Sequence, residues 1–364
     1  MKRLLILILL IPAFIGQACA EDLGGQAMDI FNADAMESGL SEEEAEISGS
    51  VRLERYDPGA ALSRLWSAFV EKLRAELRES LGFAAKLLAL LFLSAFFCAV
   101  CYDDKIRDLI EICFVCAAAA LLAGGMNTLI RQTSQAIYRL SDYSRAALPV
   151  VYTAAAAGGA VNSAAVRYAA SCLALDVMMS LAQKAVIPLV YAALSLSFAN
   201  VLFSNPILAA VEKFIRWAAK TAMTGAALAF TAYLGMSALI STSVDAAAIK
   251  TARSVISGAL PVVGGMLADA SAAVLSAADV IRSCTGVFGL IAVSAICAGP
   301  FAVLTVKSFL LKAVAAAAES LQSPRLQRLL SGTGGAVAML MGMLGCSAIM
   351  LFLSFMAAMK AVTF

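Results

Sequence analysis

The sequence predicts an all-α, polytopic helical membrane protein built on two tandem pseudo-repeats, and three observations predict it. First, 62% of the 364 residues are apolar and only 14% are charged, against about 45–50% and about 25% in soluble domains. A charge near the bilayer centre costs roughly 2.5–3.5 kcal/mol on insertion scales, so a lipid-facing chain must be short of them. Second, apolar stretches close to the roughly 20 residues that a bilayer core requires recur along the chain. Third, Ala147-Leu148-Pro149-Val150-Val151 returns unchanged as Ala259-Leu260-Pro261-Val262-Val263, 112 residues on. At the same shift Ser171-Cys172 falls on Ser283-Cys284 and Pro188 on Pro300. Duplicated membrane segments mark proteins built around a pseudo-symmetric centre.

Residues 1–20 read as a signal peptide: Lys2 and Arg3, then the apolar run from Leu4, then Ala18-Cys19-Ala20 as an A-x-A cleavage site. Residues 21–61 form an acidic extracytoplasmic segment with eleven Asp and Glu against Arg52 and Arg55. Its Glu42-Glu43-Glu44 run reads as a solvated face or a weak partner contact, the first being the plainer reading. Residues 62–82 form an amphipathic helix: Leu62, Leu65, Trp66, Phe69, Leu73, Leu77 and Leu81 repeat at three- and four-residue spacing, with charge on the other face. It suits the outer bilayer surface or a partner protein. Residues 83–126 form a transmembrane hairpin about the charged turn at 102–108.

Repeat 1 covers 127–241 and repeat 2 covers 242–364. In each, an amphipathic stretch leads into a short apolar piece interrupted by proline and glycine: Pro149, Gly158 and Gly159 in the first, Pro261, Gly264 and Gly265 in the second. These broken pieces read as re-entrant or surface-lying, a candidate central segment. Full spans follow at 185–203 and 221–240, and at 287–306 and 333–354, making six with 83–101 and 109–126. Charge bias places the turn at 102–108 and the basic stretches 204–220 and 307–332 inside.

Asp176, Asp269, Asp279 and Arg282 sit beside apolar stretches and are a candidate polar path, with Arg167 near them; the plainer reading is interfacial charge that snorkels into water. Cys98-x-x-Cys101 and Cys113-x-x-Cys116 flank the 102–108 turn at a spacing that can hold zinc. In apolar helices thiols more often pack as small hydrophobes, so no metal or other cofactor is expected. Cys172 and Cys284 leave a disulfide open. Ala338, Gly342 and Cys346 space small residues four apart, which suits internal packing or a homo-oligomer. Histidine is absent from the chain, which removes a Ser-His-Asp triad and His zinc sites. No nucleotide-binding or hydrolase motif is present, so no catalytic residue is assigned. The basic residues are dispersed, so nucleic acid is not an expected partner.

Lys250-Thr251-Ala252-Arg253, Leu260 to Met266 (LPVVGGM), Asp269-Ala270-Ser271 and Val274 to Ala278 (VLSAA) resemble the stage III sporulation protein AE family. The resemblance covers about residues 62–364. It implies a non-enzymatic, multi-pass protein of the mother-cell membrane around the forespore. It implies membership of a transenvelope channel or secretion complex with the other AA-to-AH subunits and a forespore partner, needed for late forespore gene expression. The alternative from the duplicated broken segments is a free-standing secondary transporter with a site between the repeats.

Overall fold

The computed structural model describes residue 36 and residues 38–48, 58–157, 161–203, 205–259 and 264–359, with backbone alone at 58, 163, 237–259 and 264–283. The described residues form helices and no strand: α1 (Glu42–Ser48), α2 (Pro58–Val100), α3 (Asp104–Ala157), α4 (Val161–Leu181), a π-helical turn (Ala182–Val186), α5 (Ile187–Phe203), α6 (Pro206–Ala259), α7 (Gly264–Ser320) and α8 (Pro324–Met359). Among them, Gly59–Val100, Asp104–Ala157, Ala164–Phe203, Cys284–Ser320 and Pro324–Met359 are long and apolar enough to cross a membrane. The protein is a multi-pass, all-α membrane protein. The expected span at 221–240 falls in α6, whose side chains beyond 236 lie outside the described residues.

The helices are longer than the sequence pattern suggests. α3 runs for 54 residues, about 80 Å at 1.5 Å per residue, against a hydrocarbon core of about 30 Å. The amphipathic stretch 62–82 and the span after it form one helix, α2. In α3 the span at 109–126, the amphipathic stretch and the Pro149 segment are likewise continuous, with Pro149 inside the helix. A change from amphipathic to uniformly apolar side chains alters what a helix faces but leaves its backbone hydrogen bonds intact. Pro149 removes one N–H and the helix carries on to Ala157. So the Pro149 piece is continuous with the helix that precedes it, as its last turns. Pro261 and the 158–160 glycine pair lie outside the described residues; Gly264 and Gly265 open α7.

Proline 188 acts differently. Its ring has no N–H to give and crowds the carbonyl four residues back. The turn just before it widens to π geometry, with the Ile187 N–H reaching Ala182 O. That widening joins α4 to α5 without breaking the helix.

Local chemistry sets the turns. Asp103 Oδ1 accepts the Lys105 N–H at 2.9 Å and Asn205 Oδ1 accepts the Ile207 N–H at 2.9 Å, capping α3 and α6. Pro206 and Pro324 occupy first helical positions, where a missing N–H costs nothing. α7 ends in a Schellman motif: Ser323 N–H to Ala318 O at 3.0 Å and Gln322 N–H to Glu319 O at 3.1 Å. Gln322 there has φ 53°, a left-handed conformation. Because a Cβ is disfavoured there by roughly 1–2 kcal/mol, Gln322→Gly is expected to raise stability by about 1 kcal/mol in thermal denaturation.

The helices α7 and α8 form the centre. The most apolar window of α7 is 78% buried, against 22% in α2 and in α3. Phe288, Ile291 and Leu304 of α7 pack with Leu340, Leu351 and Phe355 of α8 and with Ile137, Leu140 and Leu148 of α3 in one core. Gly286 and Gly289 let α7 approach α8: a Cβ at Gly289 would stand 2.5–2.8 Å from the Phe355 ring, and one at Gly286 would collide with Met359.

Candidate functional site

Three polar constellations pin the helices to one another. The first is at the end where α2 meets α3, α5 meets α6 and α7 meets α8. Arg325, in the first turn of α8, donates from Nη2 to Asp108 Oδ1 at 2.5 Å, and its Nε lies 3.6 Å from Glu111 Oε2. The Arg325 N–H also points to Glu111 Oε1 at 3.4 Å, so a carboxylate sits at the positive end of α8. On the other side of α8, Arg216 of α6 donates to Glu212 Oε1 at 2.6 Å and to the Gly332 carbonyl at 2.6 Å. Gly332 and Gly335 both leave room for neighbouring side chains: a Cβ at Gly332 would meet Ser197 Oγ and one at Gly335 would meet the Arg216 guanidinium. The 102–108 turn, the start of α6 and the first turns of α8 thus lie at one end.

The second constellation joins α2 to α7. Glu76 Oε1 lies 3.4 Å from Lys307 Nζ, with both side chains mostly buried. Ser80 donates to the same oxygen at 2.6 Å. Lys307 Nζ also stands 5.3 Å from the Phe83 ring centroid. One turn back along α2, Lys72 pairs with Glu43 of α1 at 2.8 Å. The neighbouring Glu44, 8% exposed, pairs with Arg139 of α3 and accepts the Ser41 N–H at 3.0 Å. Glu44 thus departs from the solvated reading of the acidic run, while Glu42 and Glu43 remain exposed. Glu42–Ser48 is a docked helix, with Arg64 of α2 donating to the Glu46 carbonyl at 3.0 Å. The match was missed because its partners lie far away in sequence; the available signal was Ser41 three residues before Glu44, a helix-start pattern.

The third lies toward the opposite end of α8. Arg167, 2% exposed, donates from α4 to the Ala357 carbonyl at 2.7 Å. Tyr152 of α3 donates to the Ser354 carbonyl at 3.1 Å and lies 3.0 Å from Ser171 Oγ of α4. Cationic and hydroxyl donors thus satisfy carbonyls near the C-terminus of α8.

Of the sequence-predicted polar path, Asp176 is exposed and lies 3.7 Å from the equally exposed Arg145. It bridges α4 and α3 on the outside. Asp269, Asp279 and Arg282 are in α7, and their side chains are outside the described residues. Cys98 and Cys101 are half-buried, Cys113 and Cys116 exposed, and all four are free thiols, as are Cys172 and Cys284. Ala338 and Gly342 face outward, and nothing lies within 4 Å of a Cβ placed on Gly342. The internal contacts of α8 use Gly332 and Gly335 instead.

The Arg325 bonds tie the first turns of α3 to the start of α8. Arg325→Gln is expected to raise proteolysis at residues 101–104 severalfold, because it leaves the 18%-exposed Glu111 without its cation. Limited proteolysis in detergent checks this.

Residues 53–362 match the protein family described as stage III sporulation protein AE, an interval that contains the helical body from α2 to α8. The chain is 23% identical over 241 residues to the stage III sporulation protein AE of Bacillus subtilis (strain 168), covering 64% of this chain and 60% of that protein. No solved structure matches the chain. The family interval takes in far more than half of the sequence, and the chain belongs to the stage III sporulation protein AE family.

Proposed function

We propose that the chain is a non-enzymatic integral subunit of the sporulation transenvelope channel or secretion complex. It sits in the mother-cell membrane around the forespore, contacts the other AA-to-AH subunits and a forespore partner, and is needed for late forespore gene expression. The observation that carries this reading is the family match across the whole helical body. The architecture supports a subunit role. The buried pair α7–α8 supplies a rigid centre, while α2 and α3 turn large apolar side chains outward, among them Phe92, Phe96 and Leu109. Those faces suit lipid and neighbouring helices. The ion pairs described above fix helix register, which is a structural use of charge. Within this proposal the two tandem halves meet at the Pro149 and Pro261 segments.

Deleting the gene in an endospore-forming host tests the proposal. Development is expected to stall after engulfment, with late forespore reporters silent and rescue by the wild-type chain. Normal spore yield in the deletion strain would sink it. Pro261→Ala is expected to lower spore yield while leaving the protein inserted in the membrane, read by carbonate extraction and immunoblot.

A further inference from the structure

At the end where the three turns gather, a cavity of about 420 Å³ opens between α5, α6 and α8. Its polar lining includes Asn200, Lys213, Arg216, Gln327, Arg328 and Ser331, with Glu212 as its carboxylate. Glu212 is already engaged by Arg216 at 2.6 Å. Lys213 makes no ion pair among the described residues, and Arg328 spends only its Nε, on the Pro324 carbonyl at 3.3 Å. Three cations therefore face one neutralised carboxylate, and two of the cations are free to take an anion. Asn200, Gln327 and Ser331 add uncharged hydrogen-bonding groups, as an ester-linked phosphate requires.

The surroundings say where that anion comes from. Phe203, Ile207, Phe214 and Trp217 are all exposed on the α5 and α6 segments that wall the cavity. The Phe214 and Trp217 rings lie 5.9 Å apart. Exposed aromatic side chains interleaved with lysine and arginine at one end of membrane helices mark the headgroup level of a bilayer. Basic pockets between helices at that level bind acidic headgroups. We infer that the cavity holds the phosphate headgroup of an anionic phospholipid from the leaflet at the turn end, with Lys213 and Arg328 as its cationic contacts and Trp217 beside the glycerol and acyl region.

The test uses the full chain purified in neutral detergent, with bound lipid counted by native mass spectrometry. It is titrated with dioleoyl phosphatidylglycerol, with dioleoyl phosphatidylcholine, and with phosphatidylglycerol in the presence of excess inorganic phosphate. Retention of phosphatidylglycerol over phosphatidylcholine by about tenfold is expected, falling to within about twofold in Lys213→Gln/Arg328→Gln. Lys105→Gln, at the same end but outside the cavity, should keep the wild-type preference. Ser331→Phe fills the cavity at unchanged charge and should lose the bound lipid, which decides the matter if the double variant does not fold. Equal retention of the two lipids by the wild type overturns the inference, as does an undiminished preference in either cavity variant. Complete displacement by inorganic phosphate assigns the cavity to a free anion and overturns the lipid source.

Discussion

Replacing Arg167 with methionine is expected to lower stability by about 1.5–3 kcal/mol, the range for a hydrogen bond to a charged group, here between a buried guanidinium and a half-buried acceptor. The Ala357 carbonyl, bonded to Arg167 Nη1 at 2.7 Å, is that acceptor. It lies in the last turn of α8, where carbonyls lack helical donors and the dipole favours a cation. Methionine keeps much of the apolar volume, so the loss reports the bond more than the packing. Arg167→Lys should recover part of it, because an ammonium on a shorter stem offers a point charge without the planar fork. Thermal unfolding in detergent, followed by circular dichroism, measures the series. A methionine variant as stable as the wild type would show that the α4–α8 contact is dispensable.

The second large effect is expected at Gly289. Two terms oppose each other in Gly289→Ala. Glycine inside a helix costs about 1 kcal/mol relative to alanine, which favours the change. Against it, the new Cβ would stand 2.5–2.8 Å from three atoms of the Phe355 ring, and overpacking a tight core costs about 1–3 kcal/mol. Phe355 is fully buried and a ring yields less than a flexible chain, so overpacking wins and the variant is destabilised by up to about 2 kcal/mol. Gly289→Leu should prevent α7 from seating on α8 altogether. Gly286→Ala meets Cγ and Sδ of Met359, an unbranched side chain that can change rotamer, and is expected to cost less than Gly289→Ala. The companion change Phe355→Leu should relieve Gly289→Ala, giving a coupling energy in a double-mutant cycle. Additive effects would mean that the two residues do not touch.

The membrane class of this fold was legible because composition and the length of apolar runs report directly on lipid exposure. The sharing of one end by the 102–108 turn, the start of α6 and the first turns of α8 was legible for a related reason: charge bias restricts which connections share a side. Helix boundaries were less so. At the 82–83 junction the side-chain pattern changes while α2 runs on, and Pro149 punctuates the sequence without ending α3. The contacts that matter most were hidden by distance. Glu44 meets Arg139 across 95 residues, Arg167 meets Ala357 across 190, and Arg216 meets Gly332 across 116. Nothing local to either partner announces such a pair. Only the type of residue was a clue, since a charge placed in so apolar a chain needs a partner. Arg167 and Asp176 both fell under that rule, and they part company in the structure: Arg167 is buried against the Ala357 carbonyl, while Asp176 lies on the surface beside Arg145.

The lengths of α3 and α7, 54 and 57 residues, have a mechanical consequence. At about 1.5 Å per residue each extends some 80 Å, so a helix crossing a hydrocarbon core of about 30 Å along its normal has length to accommodate at or beyond the interface. Because these helices are packed laterally, a slight tilt at the membrane is magnified into a displacement of several ångströms at the distal tips.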